Sequence, residues 1–220
     1  IVLGNGAGEI IDIAIASLKS ICIVMPSFIE YEQSAIKNNV EIIYSNLDKD
    51  MNIDYDDLLY KIQQVDGVIV GNPNNPNGSI VDKIKFLPIL EYCQKHNKRV
   101  IVDEAFIEFT GDIGASMIEL SKKYSCLCII RALTKFYGMP GVRIGYSICT
   151  DSNYNKAMNK RQIPWNINSF AELALKYVLK DKEYIESTVK WIREESEFFI
   201  NRLKELKIIE RVYQTDSNFV

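Results

Sequence analysis

The sequence holds one histidine, His96, in 220 residues. Among its five cysteines only Cys126 and Cys128 stand at a spacing that puts two thiols on one side of a strand. Zinc takes four such ligands, so no metal is expected. No apolar run approaches the roughly 20 residues of a membrane-spanning helix, and no repeat or low-complexity tract appears. The 26 Lys and Arg are scattered among 29 Asp and Glu to a net charge of −3, with no basic stripe and no polybasic segment. Nucleic-acid and membrane partners are therefore not expected. Ile1 is neither an initiator methionine nor the start of a signal peptide. Cys22, Cys93, Cys126, Cys128 and Cys149 are odd in number, and four lie in apolar strand-like segments. They read as free buried thiols, which points to the cytoplasm. His96 itself lies in QKHNKR, a polar helix end, and reads as a solvated residue near a C-cap.

What the chain does have is 47% hydrophobic residues, enough for a substantial core and one domain of ordinary size or slightly more. Its organising stretch is IIRALTKFYGMPGVRIGY, Ile129 to Tyr146. An apolar strand from Cys126 to Ile130 leads to Thr134 and Lys135, and a Gly/Pro turn then delivers Arg143 onto a second short strand. Phe136, Tyr137, Met139, Pro140 and Val142 are expected to wrap the lysine, desolvate its ammonium and favour the nucleophilic free amine. Such an amine condenses with an aldehyde to a Schiff base, and Arg143 could hold an anion carried by that aldehyde. The aldehyde with a fixed anion is pyridoxal 5′-phosphate (PLP).

The rest of the chain alternates strands and helices. Gly4, Gly6 and Gly8 form a turn feeding a helix with Ile10, Ile11, Ala14, Ile15 and Leu18 at helical spacing, and its N-terminus suits a phosphate. Strands are expected at 21–25, 40–44, 65–71 and 99–103. Helices are expected around 34–38, at 55–63 capped by Asp54, and from 82 or 83 to 95. Strands apolar on both faces imply a mostly parallel sheet covered on both sides, a three-layer αβα fold of the α/β class. In such sheets the ligand lies at the carboxyl ends of the strands. Four ends there carry Phe28, Asn75, Asp103 and Lys135. Singly these read as a core ring, a turn former, a helix N-cap and a solvated lysine; together their chemistry is complementary. Further on, a helix is expected at 151–160, the loop Pro164-Trp165-Asn166-Ile167-Asn168 should cap a helix from 169 to 179, and a long amphipathic helix should run from about 182 to 206. Residues 208–213 and 218–220 look like first strands of a second unit. The expected division is 1–180 for the cofactor domain, 181–206 for a bridging helix and 207–220 for the start of a small α+β domain, with both flanks of the small domain outside the chain.

NPNNPNG, VDEAF and LTKFYGMPGVRIGY, in that order, resemble the fold-type I PLP enzymes of the class I/II aminotransferase group, over essentially the whole chain. The resemblance implies a seven-stranded large domain in which Lys135 binds PLP covalently and Asp103 pairs with the pyridine nitrogen. It also implies that Phe28 stacks on the ring, Asn75 bonds the ring O3′, and the amides of Ala7 and Gly8 with Thr134 and Arg143 hold the phosphate. Within the group the chain is similar to threonine-phosphate decarboxylases of cobalamin biosynthesis and to histidinol-phosphate aminotransferases, which implies an amino acid or amine phosphate as substrate. Phe106, where most relatives place a tyrosine reaching O3′, the TKFYGMPG loop and the PWNIN loop lean to the decarboxylase. Trp165, Asn166 and Asn168 could then shape the substrate pocket. Ala132 departs from the group, where a hydroxyl commonly touches the phosphate. The resemblance places the arginine for the substrate carboxylate beyond Val220 and implies a homodimer. A domain that binds PLP without catalysis, or serves as a regulator, is the competing reading.

Overall fold

The structure, a computed structural model, describes residues 1–220. Seven strands form one sheet in the order β1-β7-β6-β5-β4-β2-β3. The strands are β1 (Val2–Gly4), β2 (Ser20–Met25), β3 (Glu41–Asn46), β4 (Gly67–Gly71), β5 (Arg99–Asp103), β6 (Leu127–Ala132) and β7 (Gly145–Ile148). β2 to β6 are mutually parallel, while β1 and β7 run antiparallel at one edge. The apolar lead at the N-terminus is thus itself a strand, made so by its partner β7.

Within each central strand the side chains alternate between two cores, as the two-residue period of a strand requires. Ile21, Ile23, Ile69, Ile101, Cys128 and Ile130 face one core, with α1 (Ala7–Ile15), α2 (Glu30–Lys37) and α6 (Ser152–Arg161) packed over it. Cys22, Val24, Val68, Val70, Val100, Val102, Leu127 and Ile129 face the other, under α3 (Tyr55–Ile62), α4 (Lys83–Lys95) and the short α5 (Ile118–Ser121). Burial on both faces is why these strands read as unbroken apolar runs. Each fully buried Ile or Val adds about 1.5–3 kcal/mol. Helix starts follow the caps: the side chains of Asp54, Asp82 and Asp151 accept backbone N–H groups of the first turns of α3, α4 and α6. Asn168 and Asp181 do the same for α7 (Ser169–Val178) and α8 (Lys182–Lys204).

Residues 208–213 and 218–220 are not strands, which corrects the expectation from their apolar pattern. A β pattern becomes a strand only beside another strand, and here the segment folds back on loops of the sheet domain instead. Asp216 N–H donates to Gly78 O (2.9 Å), Arg211 pairs with Asp50, and Phe219 meets the Phe106 ring edge-on at 5.0 Å. α8 touches the domain mainly through its first half, where Ile192 packs with Phe109 and Phe136.

Below the carboxyl ends of β5 and β6 lies an ionic brace. The fully buried Glu104 carboxylate accepts from Arg131 (2.9 Å), Ser116 Oγ (2.8 Å), Met117 N (2.6 Å) and Asn72 Nδ2 (3.3 Å). A buried pair of this kind adds little net stability, but removing one partner costs about 3–5 kcal/mol. Its consequence is positional: it ties the turn after β4, the end of β5 and the end of β6 into one rigid edge.

Candidate active site

The register of the sheet brings the strand ends level, with Asp103 beside Gly71 on one side and Ile130 on the other. Past these ends lies a cavity of about 150 Å³. Ala7, Gly8, Phe28, Asn75, Asp103, Phe106, Thr134, Lys135 and Arg143 all line it, although they come from six separate parts of the chain.

One wall is the start of α1. Gly6 caps this helix without a side-chain bond, so its first N–H groups face outward with the positive end of the helix dipole. Gly6 has φ 81°, a conformation that favours glycine, and a Cβ there would also push the Arg143 guanidinium aside. A Cβ on Gly8 would meet nothing, which leaves the backbone open as a cradle. Arg143, with φ 57°, is held over this turn by donating to Pro140 O (3.0 Å) and Asn5 O (3.4 Å). Thr134, two residues past the end of β6, lines the same cavity.

The cavity is also lined by a carboxylate. Asp103 is buried, its Oδ2 accepts from Tyr31 Oη at 2.7 Å and its Oδ1 from Ala105 N at 3.0 Å. Burial raises its pKa above the ordinary carboxylate value, while the Tyr31 and Ala105 bonds and the charge of Lys135 work to lower it. A cation placed against this carboxylate would relieve the cost of burying it. Tyr31 was not singled out from the sequence; an aromatic residue three positions after Phe28, at the start of a helix, was the available signal.

In the loop after β4, three asparagines are structural. Asn72 bridges to Ala115 O and Val81 N, Asn74 donates to Pro26 O, and Asn77 donates to Met51 O. Asn75 alone of the four lines the cavity.

The surroundings of Lys135 differ from the expectation. The residue is exposed, and of the five bulky neighbours in sequence only Pro140 lines the cavity. Phe136 turns away to Phe109 (5.2 Å between centroids), Tyr137 stacks with Tyr184 (6.0 Å), and Val142 packs toward Leu133 and Ile144. Phe136 and Tyr137 leave because the α8 side of the turn offers an apolar core, and Val142 because α7 offers another around Ala171. The ring facing the lysine is Phe106, whose centroid lies 5.5 Å from Nζ.

Trp165, Asn166 and Asn168, expected to shape the substrate pocket, do not line this cavity. Trp165 is 96% exposed, Asn166 donates to Glu9 (3.1 Å), and Asn168 caps α7 while donating to Val142 O (2.9 Å). The tryptophan has no core to enter, and both amides are used locally.

Size does not mark the site. A larger cavity, about 820 Å³, lies between the 107–116 segment, Arg131, Tyr146 and α8. It holds Glu108, pushed by burial to about 7 against the pull of Arg131, but no helix N-terminus, and its one lysine, Lys190, is exposed on α8 and paired with Glu194. The five cysteines are free and buried, and burial pushes Cys22 up to about 12. His96 ends α4, stacked on Tyr92 at 4.3 Å. No cluster of three His, Cys, Asp or Glu residues could hold a metal, and no helix is long and apolar enough to cross a membrane.

The donor set fits a phosphorylated aromatic aldehyde: an anion cradle with Arg143, a buried carboxylate, an aromatic wall and one primary amine all line one cavity. The comparisons agree. The family described as aminotransferase class I and II matches residues 1–220. A protein of Caldanaerobacter subterraneus subsp. tengcongensis, provisionally named threonine-phosphate decarboxylase, is 36% identical over 225 residues, covering 100% of this chain and 61% of that protein. The histidinol-phosphate aminotransferase of Ruminiclostridium cellulolyticum is 31% identical over 229 residues, covering 100% and 62%. The crystal structure of the histidinol-phosphate aminotransferase from Clostridium acetobutylicum superposes with a TM-score of 0.96 at 48% identity, covering 98% of this chain and 65% of that one. The chain thus spans about three fifths of the length of these relatives. On this evidence the chain belongs to the class I and II aminotransferase family, whose enzymes depend on pyridoxal 5′-phosphate.

Proposed function

We propose that the full-length protein is a PLP enzyme acting on an amino acid or amine phosphate, and that its reaction is the decarboxylation of L-threonine O-3-phosphate. The convergence of Lys135, Asp103, Arg143 and the α1 N-terminus on one cavity carries the PLP reading. PLP, when bound, supplies an aldehyde that captures amines reversibly and a protonated ring that accepts the electrons of whichever substrate Cα bond stands perpendicular to it. The chain's residues do the rest. The Ala7 and Gly8 amides, Thr134 and Arg143 hold the phosphate by charge-assisted hydrogen bonds. Phe28 would pack against the ring face, and Asn75 would donate to O3′. Asp103 holds the proton at the ring nitrogen, and Lys135 Nζ provides the capturing amine and then moves protons at the substrate Cα. Residues 1–180 carry this cavity; 181–206 bridge onward, and 207–220 lead into a second unit.

Phe106 favours the decarboxylase. It lies against Lys135 with no hydroxyl to offer, so the proton balance near the amine differs from that of a site with a phenol. A second reading, transamination of histidinol phosphate, is favoured by the 48% identity to the structure bearing that name. Incubation of the full-length protein with each substrate discriminates. CO2 and aminopropanol phosphate from threonine phosphate are the expected products. Glutamate from histidinol phosphate and 2-oxoglutarate, without CO2 from threonine phosphate, would overturn the choice.

The full-length protein is further proposed to be a cytoplasmic homodimer with twofold symmetry. Phe170, Leu173 and Tyr177 lie at i, i+3 and i+7 on α7 and are exposed, with Ile163 and Trp165 in the loop before them. Such a set is too apolar to stay in water without a partner. Sedimentation at micromolar concentration is expected to give the dimer mass, and a monodisperse monomer would argue against it.

A further inference from the structure

We infer that Tyr31 is a positioning residue for Asp103: its hydroxyl locks the carboxylate's orientation and favours placement of the shared proton on the cofactor's ring nitrogen rather than on Asp103. This rests on the reading of the cavity as a PLP site.

Tyr31 is 2% exposed, and its hydroxyl donates to Asp103 Oδ2 at 2.7 Å across 72 residues of sequence. With Oδ1 already accepting from Ala105 N–H, each oxygen carries one donor, so the carboxylate cannot rotate without losing a bond. The Tyr31 ring is in turn held by Phe28, edge-on at 5.7 Å, and its own N–H donates to Phe28 O (3.1 Å). One short segment, Phe28 to Tyr31, therefore sets both the aromatic wall and the carboxylate. The other charged groups acting on Asp103 are Lys135, from the turn after β6, and its neighbour Glu104, which act in opposite senses. Neither donates a hydrogen bond to either Asp103 oxygen.

The chemistry follows from where one proton sits. A buried carboxylate and a pyridine nitrogen set against it share a proton between them, and a donor to the carboxylate makes it the weaker base, so the proton moves to the ring. No other group is consumed or released. Burial works in the reverse direction on Asp103, which gives the tyrosine bond something to oppose.

The test uses the full-length protein loaded with PLP labelled with 15N in the ring. In the wild type the 15N resonance is expected at the position of a pyridinium, and in Asp103→Asn at that of a neutral pyridine. Tyr31→Phe keeps the aromatic contact and removes only the hydroxyl. Its resonance is expected to move toward neutral pyridine, the acid limb of its turnover profile to move to higher pH, and its turnover at neutral pH to fall by about tenfold, as for loss of a hydrogen bond to a charged group. A pyridinium signal and an unmoved acid limb in Tyr31→Phe, with Asp103→Asn neutral, would overturn the role of Tyr31 and leave the PLP reading standing. A neutral pyridine in the wild type would overturn the role of Asp103 and this inference with it. Should Tyr31→Phe not fold, 3-fluorotyrosine installed at position 31, a stronger donor of nearly the same size, reads the bond in the opposite sense. The acid limb is then expected at lower pH, and a move to higher pH would overturn the proposal.

Discussion

Lys135→Ala in the full-length protein is expected to abolish covalent attachment of PLP and to lower turnover by at least about 10²-fold, the low end for losing a positioned acid–base group. No other residue lining the cavity carries a primary amine. The backbone after β6 should not change, because Lys135 is exposed and the turn is held by Gly138 N–H to Lys135 O (3.1 Å), Met139 N–H to Thr134 O (3.1 Å) and Phe136 in its own cluster. Lys135→Arg separates charge from nucleophilicity: it keeps the cation beside Asp103 and Phe106 but cannot condense with an aldehyde at neutral pH, so it should lose attachment as completely as the alanine variant. Borohydride reduction followed by peptide mapping reads the result. PLP fixed to a peptide without Lys135 would remove this residue from the mechanism.

Asp103→Asn is expected to leave PLP bound while turnover falls by about 10²–10³-fold, the range for removing one preorganised electrostatic contact. The amide has the size of the carboxylate and can keep the local bonds: its oxygen accepts from Ala105 N–H, and its NH2 donates to the Tyr31 oxygen. What it loses is the charge that holds a proton on the ring. Stability should move the other way. Burial raises the folded-state pKa of Asp103, so its contribution to stability is complete below the unfolded-state pKa and is lost as the pH rises through the folded value. The apoprotein of the variant should therefore be the more stable at neutral pH, with the gap closing as acid protonates Asp103 in the wild type. Thermal melting across pH together with steady-state turnover checks both halves. Unchanged turnover would refute the catalytic assignment, and a variant less stable at neutral pH than in acid, relative to wild type, would refute the linkage.

These two residues were legible without coordinates because each stands at the end of a strand whose pattern is unmistakable. VIVD and CLCII are apolar on both faces, so they belong to a covered parallel sheet, and the residues that follow such strands gather at one edge. The same holds for Phe28 and Asn75, and for the Gly-rich start of α1. Helix starts at Asp54 and after the 164–168 loop were legible for a similar reason, since a cap acts within three residues of itself.

The chain alone thus determined its central strands, its helix starts at Asp54 and after the 164–168 loop, its three layers and the residues arriving at the carboxyl edge, because each depends on neighbours two to four positions away. Only the tertiary structure decided that Phe136 and Tyr137 turn from Lys135 toward α8, that Trp165 faces outward, that residues 208–220 fold back unpaired, and that Tyr31 reaches Asp103. Periodicity tells which side of an element is apolar, but not which distant element lies opposite to receive a ring or accept a hydroxyl proton; that is fixed by how helices pack on the sheet.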